Sequence, residues 1–113
     1  MTKGRYLAEF ELYVMSALAI LGDDAYGMTI RQEIERRSGR RVAIGAVYAT
    51  LARLADKGLV AFRVSEPRPV QGGRARKHAR LTPAGRTALR ESTAMLVSMI
   101  PALSANTGNR GRR

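Results

Sequence analysis

The sequence contains no cysteine, no tryptophan and a single histidine, His78, among its 113 residues. Without cysteine, the chain can form neither a disulfide framework nor a thiolate metal site. One histidine cannot supply the two- and three-histidine zinc sites that hydrolases use. We therefore predict a protein that has no metal centre and no cofactor, and whose fold depends on its hydrophobic core.

Acidic residues are few compared with basic ones. Nine Asp and Glu stand against 20 Lys and Arg, so the formal net charge is +11. The segment 63–80 carries six basic residues against Glu66 alone, which makes a local positive patch. Such a patch is typical of proteins that contact a polyanion, above all nucleic acid. An apolar fraction of 45% indicates a folded domain rather than a basic tail.

Long hydrophobic runs are also missing. The most apolar stretch, residues 12–22, is much shorter than the roughly 20 residues that a membrane span needs. Glu9 and Glu11 interrupt the apolar region that a signal peptide would require. We therefore expect no membrane partner and a cytoplasmic location.

Hydrophobic periodicity predicts three helices in the first half of the chain. The first, residues 7–21, is apolar on most of its circumference, so we expect a second subunit as well as the core to cover it. The second and third, residues 25–38 and 44–57, are amphipathic, and Asp24 is the expected N-cap of the second. Two amphipathic helices joined by a short turn form an αα unit, of which the DNA-binding helix-turn-helix is one case.

The second half of the chain changes to an alternating pattern, which one more helix follows. Residues 59–64 and 74–81 predict the two strands of a hairpin with a long basic tip. The last helix begins with Thr82 as its N-cap and Pro83 at its first position. Pro101 should kink or end this helix, because proline lacks the N–H that the helix needs.

The predicted fold class is mainly α with a small β-hairpin wing, a winged helix-turn-helix, plus a C-terminal dimerisation helix. The predicted boundaries are 1–81 for the DNA-binding domain, 82–103 for the dimerisation helix and 104–113 for a disordered basic tail. In such a fold the third helix can enter the major groove, which is about 12 Å wide, while the wing reaches the sugar-phosphate backbone.

Short motifs accompany these elements in a fixed order. They are Tyr26-Gly27, Gly45-x-x-Tyr48-x-x-Leu51-x-x-Leu54, Gly58-Leu59-Val60 and, after the basic wing, Leu81-Thr82-x-x-Gly85. With this set, residues 10–90 resemble the PadR family of winged-helix transcriptional regulators. The resemblance implies a homodimer that binds a pseudo-palindromic operator, usually as a repressor, and uses its C-terminal helix to dimerise. For some members it also implies release from DNA by a small aromatic or cationic ligand.

The sequence departs from the family pattern at Ala43 and Ala46, where the family often has serine or threonine. The missing hydroxyls remove hydrogen-bond donors near the start of the third helix. Because of this departure, we expect fewer direct contacts to bases from the first turn of the third helix.

The predicted functional residues fall into two sets. Tyr48 leads the first set, because its ring can pack on the helix while its hydroxyl reaches a phosphate or a base. The predicted DNA-binding residues are Arg40, Arg41, Gly45, Tyr48, Thr50, Arg53, Arg74, Arg76 and Lys77. The predicted dimerisation residues are Phe10, Val14, Leu89, Leu96, Met99, Ile100 and Leu103.

Catalysis is not expected. His78 is the only imidazole, and no serine lies in a nucleophile-elbow pattern, so we predict that the protein is not an enzyme. The predicted partners are a double-stranded DNA operator, a second copy of the chain and a small-molecule effector of unknown identity. Two alternatives stay open: a basic RNA-binding or ribosome-associated protein, and a winged-helix module for protein–protein interaction.

Overall fold

The elements follow the predicted order of three helices, a hairpin and a final helix. The computed structural model describes residues 7–64 and 77–111, with side chains described as far as Pro101. The elements are helix α1 (Glu9–Leu21), a 3-10 turn (Gly22–Asp24), helices α2 (Gly27–Ser38) and α3 (Ile44–Asp56), strands β1 (Val60–Val64) and β2 (Lys77–Leu81), and helix α4 (Pro83–Gly111). This architecture confirms the predicted mainly helical fold with a β-hairpin wing.

One hydrophobic core joins the helices to the hairpin. Because the apolar residues of each amphipathic helix recur with the helical period of 3.6 residues, they form one stripe, and this stripe faces the core. The buried side chains are Val14, Met15, Ala17 and Leu18 of α1, Ile30 and Ile34 of α2, Val47, Leu51 and Leu54 of α3, and Val60, Ala79 and Leu81 of the hairpin, together with Ala25. Because α3 and the hairpin share this core, their relative orientation is fixed.

The hairpin pairs β1 and β2 antiparallel, with Val60 opposite Leu81 and Val64 opposite Lys77. Thr82 caps α4 as predicted: the Gly85 N–H donates to its Oγ1 at 3.0 Å. The same hydroxyl donates to the carbonyl of Gly58 at 2.7 Å, which joins the end of the wing to the end of α3. Glycine is required at position 85, because a Cβ there would overlap the carbonyl oxygen of Leu59.

The N-cap of α2 differs from the prediction. Asp24 lies in the 3-10 turn, and the N-cap is Tyr26. The Tyr26 N–H donates to Oγ1 of Thr29 at 3.0 Å. Thr29, the third residue of the helix, thereby reaches back to the backbone N–H of the N-cap residue, as the third residue of a capping box does.

The final helix is longer than predicted. α4 continues through Pro101 to Gly111, so residues 104–111 are helical rather than a disordered tail, and residues 112 and 113 lie outside the described part. Proline removes one backbone hydrogen bond, but the following Ala102, Leu103 and Ala105 have high helix propensity. No helix in the described part of the chain is both long and apolar enough to cross a bilayer.

Candidate nucleic-acid interface

The outward face of α3 is open along its whole length. The inward residues Val47, Leu51 and Leu54 are buried in the core, which fixes which side of the helix faces outward. The exposed residues are Gly45, Ala46, Tyr48, Ala49, Ala52, Arg53 and Asp56. A helix anchored on one side and open on the other can enter a groove of DNA.

Tyr48 is the largest side chain on this face, and 53% of it is exposed. Its phenol ring lies directly over Gly27 at the start of α2. A Cβ added to Gly27 would come within 3.0 Å of the Tyr48 hydroxyl oxygen and of two ring carbons. Gly27 therefore leaves the space in which the ring lies, a role that the Tyr26-Gly27 motif did not reveal. Within the described residues, no group hydrogen-bonds to the Tyr48 hydroxyl.

Glu11 fixes the other end of α3 to α1. Its side chain is buried, and its Oε2 accepts a hydrogen bond from Lys57 Nζ at 2.8 Å and lies 3.9 Å from Arg53 Nε. The Ala8 N–H also donates to this carboxylate, at 3.1 Å. Burial raises the pKa of Glu11, but these hydrogen bonds and the charges of Lys57 and Arg53 outweigh burial and lower the pKa overall. The pattern of the sequence did not reveal this pair, because its partners are 46 residues apart.

Thr50 does not belong to the interface, which corrects the prediction. Only 2% of it is exposed, because position 50 lies beside the buried stripe of Val47, Leu51 and Leu54. Its Oγ1 accepts a hydrogen bond from Arg53 Nη2 at 3.1 Å. The residue therefore orients the exposed Arg53 and is out of reach of DNA itself.

The turn between α2 and α3 presents two free arginines. Arg40 and Arg41 are exposed, and no acid within the described residues pairs with either. By contrast, Glu33 of α2 accepts hydrogen bonds from both Arg36 and Arg37, which lower its pKa. The turn itself is held by the Val42 N–H, which donates to Glu35 Oε2 at 2.7 Å.

The wing contributes Lys77, the first residue of β2. Lys77 is exposed, and its Nζ lies 4.2 Å from the centroid of the Phe62 ring, a cation–π contact across the hairpin. Arg74 and Arg76 lie outside the described residues. The exposure of Arg40, Arg41, Gly45, Tyr48, Arg53 and Lys77 is compatible with DNA contact, which stays a prediction for each of them.

The predicted dimerisation residues differ in how deeply they are buried. Val14 is fully buried in the core of the subunit, so its assignment to a dimer contact is wrong. Phe10 and Leu89 are partly buried against the same core. Three others on α4, Leu96, Met99 and Ile100, are each about half exposed, and the side chain of Leu103 lies outside the described part.

His78 is half-buried on β2. Its ring lies edge-on to Tyr26, with 5.4 Å between the ring centroids, and β2 forms a bridge to Tyr26 at the same position. Among the residues described, no cluster of three or more His, Cys, Asp or Glu could hold a metal ion.

Known proteins resemble this chain in sequence. The profile of the Transcriptional regulator PadR-like family matches residues 17–91. The chain is 48% identical over 69 residues to transcriptional regulator Rv3488 of Mycobacterium tuberculosis. This match covers 61% of the chain and spans about 60% of the length of that curated relative.

Solved structures share the fold. A PadR family transcription regulator from Clostridium difficile has a TM-score of 0.71 at 25% identity, over 88% of this chain and 98% of that one. F93 from STIV, a winged-helix DNA-binding protein, has a TM-score of 0.60 at 22% identity, over 80% of this chain and 90% of that one. These similarities support the winged-helix architecture. Since the family profile covers well over half of the sequence, the chain belongs to the PadR-like family of transcriptional regulators.

Proposed function

We propose that the protein is a sequence-specific, DNA-binding transcriptional regulator whose helix α3 enters the major groove. The open face of α3 is the observation that carries this proposal. It presents Tyr48, the fifth residue of α3, whose hydroxyl has no protein partner within the described residues. The exposed Arg40 and Arg41 precede this helix. Recognition helices use their N-terminal residues in this way to reach base edges.

Phosphate contacts come from the basic residues on either side of α3. Arg40 and Arg41 lie before its first turn, and Lys77 lies on the wing. Arg74 and Arg76 precede Lys77 in the sequence and belong to the same proposed set. These contacts position the protein on the duplex without reading its sequence, because phosphates carry no base information.

The proposed assembly is a homodimer on a pseudo-palindromic operator. The exposed apolar residues Leu96, Met99 and Ile100 of α4 form a surface that soluble monomers rarely leave in water. A two-fold dimer presents two copies of α3, which requires related half-sites about one helical turn apart. We propose repression, because occupancy of an operator excludes other proteins from that DNA and needs no further surface.

The proposed effector binds between α1 and α4. A cavity of about 440 Å³ lies there, lined by Leu7, Leu12, Tyr13, Ser92, Met95 and Leu96 among others. Its size lies in the range of sites for small molecules, and its lining is mostly apolar with a few polar groups. A ligand at this position would change the angle between α1 and α4. Because α1 also holds α3 through Glu11, this change would shift α3, the proposed DNA-binding helix, relative to α4, the proposed dimerisation helix.

A gel shift with the DNA upstream of the protein's own gene tests the function. We expect a shifted band that unlabelled copies of the same duplex remove at much lower concentration than unrelated duplex or RNA. Equal competition by RNA would favour the RNA-binding alternative. No shift with any duplex would favour the protein-interaction module.

A further inference from the structure

The outward face of α3 is lined by methyl groups. Ala46, Ala49 and Ala52 are all exposed and follow one another at three-residue steps, which places them side by side on the helix surface. Gly45 beside them is also exposed, and a Cβ there would meet nothing within 4 Å. The central part of the face that points outward is therefore small and apolar.

The same face offers almost no side chain that reads bases by hydrogen bonds. Of the residue types that pair with adenine, guanine and cytosine edges, α3 contains only Arg53 and Asp56, both in its last turn. Arg53 is held by Thr50 and lies beside Glu11 at the far end of the helix. The Tyr48 hydroxyl both donates and accepts hydrogen bonds, so by itself it cannot distinguish one base from another.

The remaining sequence signal in the major groove is the C5-methyl group of thymine, which alanine contacts through its own methyl. We propose that Ala46, Ala49 and Ala52 read thymine methyls, so that the operator half-sites carry thymines where α3 lies. This inference rests on the proposed DNA-binding function and names the base that the helix selects.

The dimensions of the helix agree with this reading. Ala46 and Ala52 are six residues apart, a rise of about 9 Å along the axis. That length matches two to three base steps of about 3.4 Å each. Because alanine and glycine extend little beyond the backbone, α3 can also lie deeper in the groove than a helix with long side chains, which brings the methyl groups into contact.

The test begins with selection of high-affinity sites from a random pool of duplexes by the full-length protein. Each thymine of the selected site is then replaced by uracil, which removes the C5-methyl and leaves base pairing intact. We expect the affinity to fall by about fourfold at two or three positions of each half-site, the change expected for one buried methyl. Uracil in the flanking DNA should leave the affinity unchanged.

A variant with altered preference provides the second arm. Ala49→Asn introduces a side chain that pairs with adenine, so repeated selection should replace thymine by adenine at one position of each half-site. The matched control is Ala84→Asn, because Ala84 is exposed on α4 and should leave the selected sequence unchanged. Thermal unfolding of both variants verifies that they fold.

The outcomes separate this inference from the proposed function. If no uracil substitution in the selected site changes the affinity, the thymine inference is overturned, while sequence-specific DNA binding still stands. Binding to all duplexes with equal affinity overturns both the thymine inference and the sequence specificity of the proposed function, and leaves only non-specific DNA binding. Failure to bind any duplex, with the protein folded, overturns the proposed function itself, and the apolar face of α3 is then a surface for another protein.

Discussion

Helices α3 and α4 both leave one face open, but with very different side chains. The open face of α3 carries small residues and a single phenol, whereas that of α4 carries Leu96, Val97, Met99 and Ile100, each about half exposed. Contacts within the subunit already hold α3, through Gly27 at one end and Glu11 at the other. The comparison indicates that the proposed DNA-binding face is complete in one subunit, while the apolar face of α4 is the surface that we propose a second copy covers.

The largest expected effect concerns the charge around α3. With roughly 6–10 phosphate contacts per dimer, raising the salt from 50 to 200 mM should weaken binding by about 10³–10⁵-fold, because released counterions oppose binding at higher salt. Fluorescence anisotropy on a selected duplex measures this dependence. An affinity that stays nearly constant over the range would contradict the phosphate contacts proposed for Arg40, Arg41 and the wing.

The next effect concerns α4. Leu96→Glu combined with Ile100→Glu should convert a dimer into a monomer of 12.4 kDa, which light scattering at micromolar concentration detects. Each buried leucine or isoleucine contributes about 1.5–3 kcal/mol, so dimer affinity should fall by roughly 100-fold or more. Thr87→Glu, which adds one negative charge at another exposed position of α4, should leave the mass unchanged. A wild-type mass of 12.4 kDa would show that α4 is not a dimer surface under these conditions.

A smaller effect is expected where α2 supports α3. Gly27→Ala should push the Tyr48 phenol off α2 and weaken operator binding by about tenfold, the loss expected for one contact. The double variant with Tyr48→Ala should lose no more than Tyr48→Ala alone, because the two changes act on one contact. Gly45→Ala is the matched control for stability: its Cβ meets nothing, so urea unfolding should show a gain of about 0.5 kcal/mol. Additive losses in the double variant would show that Gly27 does not act through Tyr48.

The smallest effect concerns the link between α1 and α3. The pKa of Glu11 is lowered from its ordinary value of 4.5, so its contribution to stability is present above that pH and is lost as the pH falls through the folded-state pKa. Glu11→Gln should therefore cost about 1 kcal/mol at pH 7, and this cost should shrink as the pH falls below 4.5. Urea unfolding at several pH values measures the difference. A constant difference between the two proteins across this range would exclude ionisation of Glu11 as the source of stability.

The helix and strand pattern could be predicted because it depends on local spacing. Apolar residues at three- and four-residue steps marked α1, α2 and α3, and the motif around Thr82 marked the start of α4. The same reasoning placed Thr50 on the surface, since the 3.6-residue period leaves a position next to a buried stripe undecided. The same reasoning predicted that the last helix kinks or ends at Pro101, whereas α4 continues to Gly111. The prediction considered only the proline and left out the helix-forming residues that follow it.

The sequence by itself determined the order of the elements, the positive charge of the wing and the family, because periodicity, composition and short motifs are local properties. Only the tertiary structure decided which side chains the third helix presents, since that depends on how far the helix is rotated in the shared core. Packing also brought Tyr48 onto Gly27 and Lys57 onto Glu11, contacts between residues 21 and 46 positions apart. Spacing along the chain carries no record of such pairs, because they form only when separate helices are packed together.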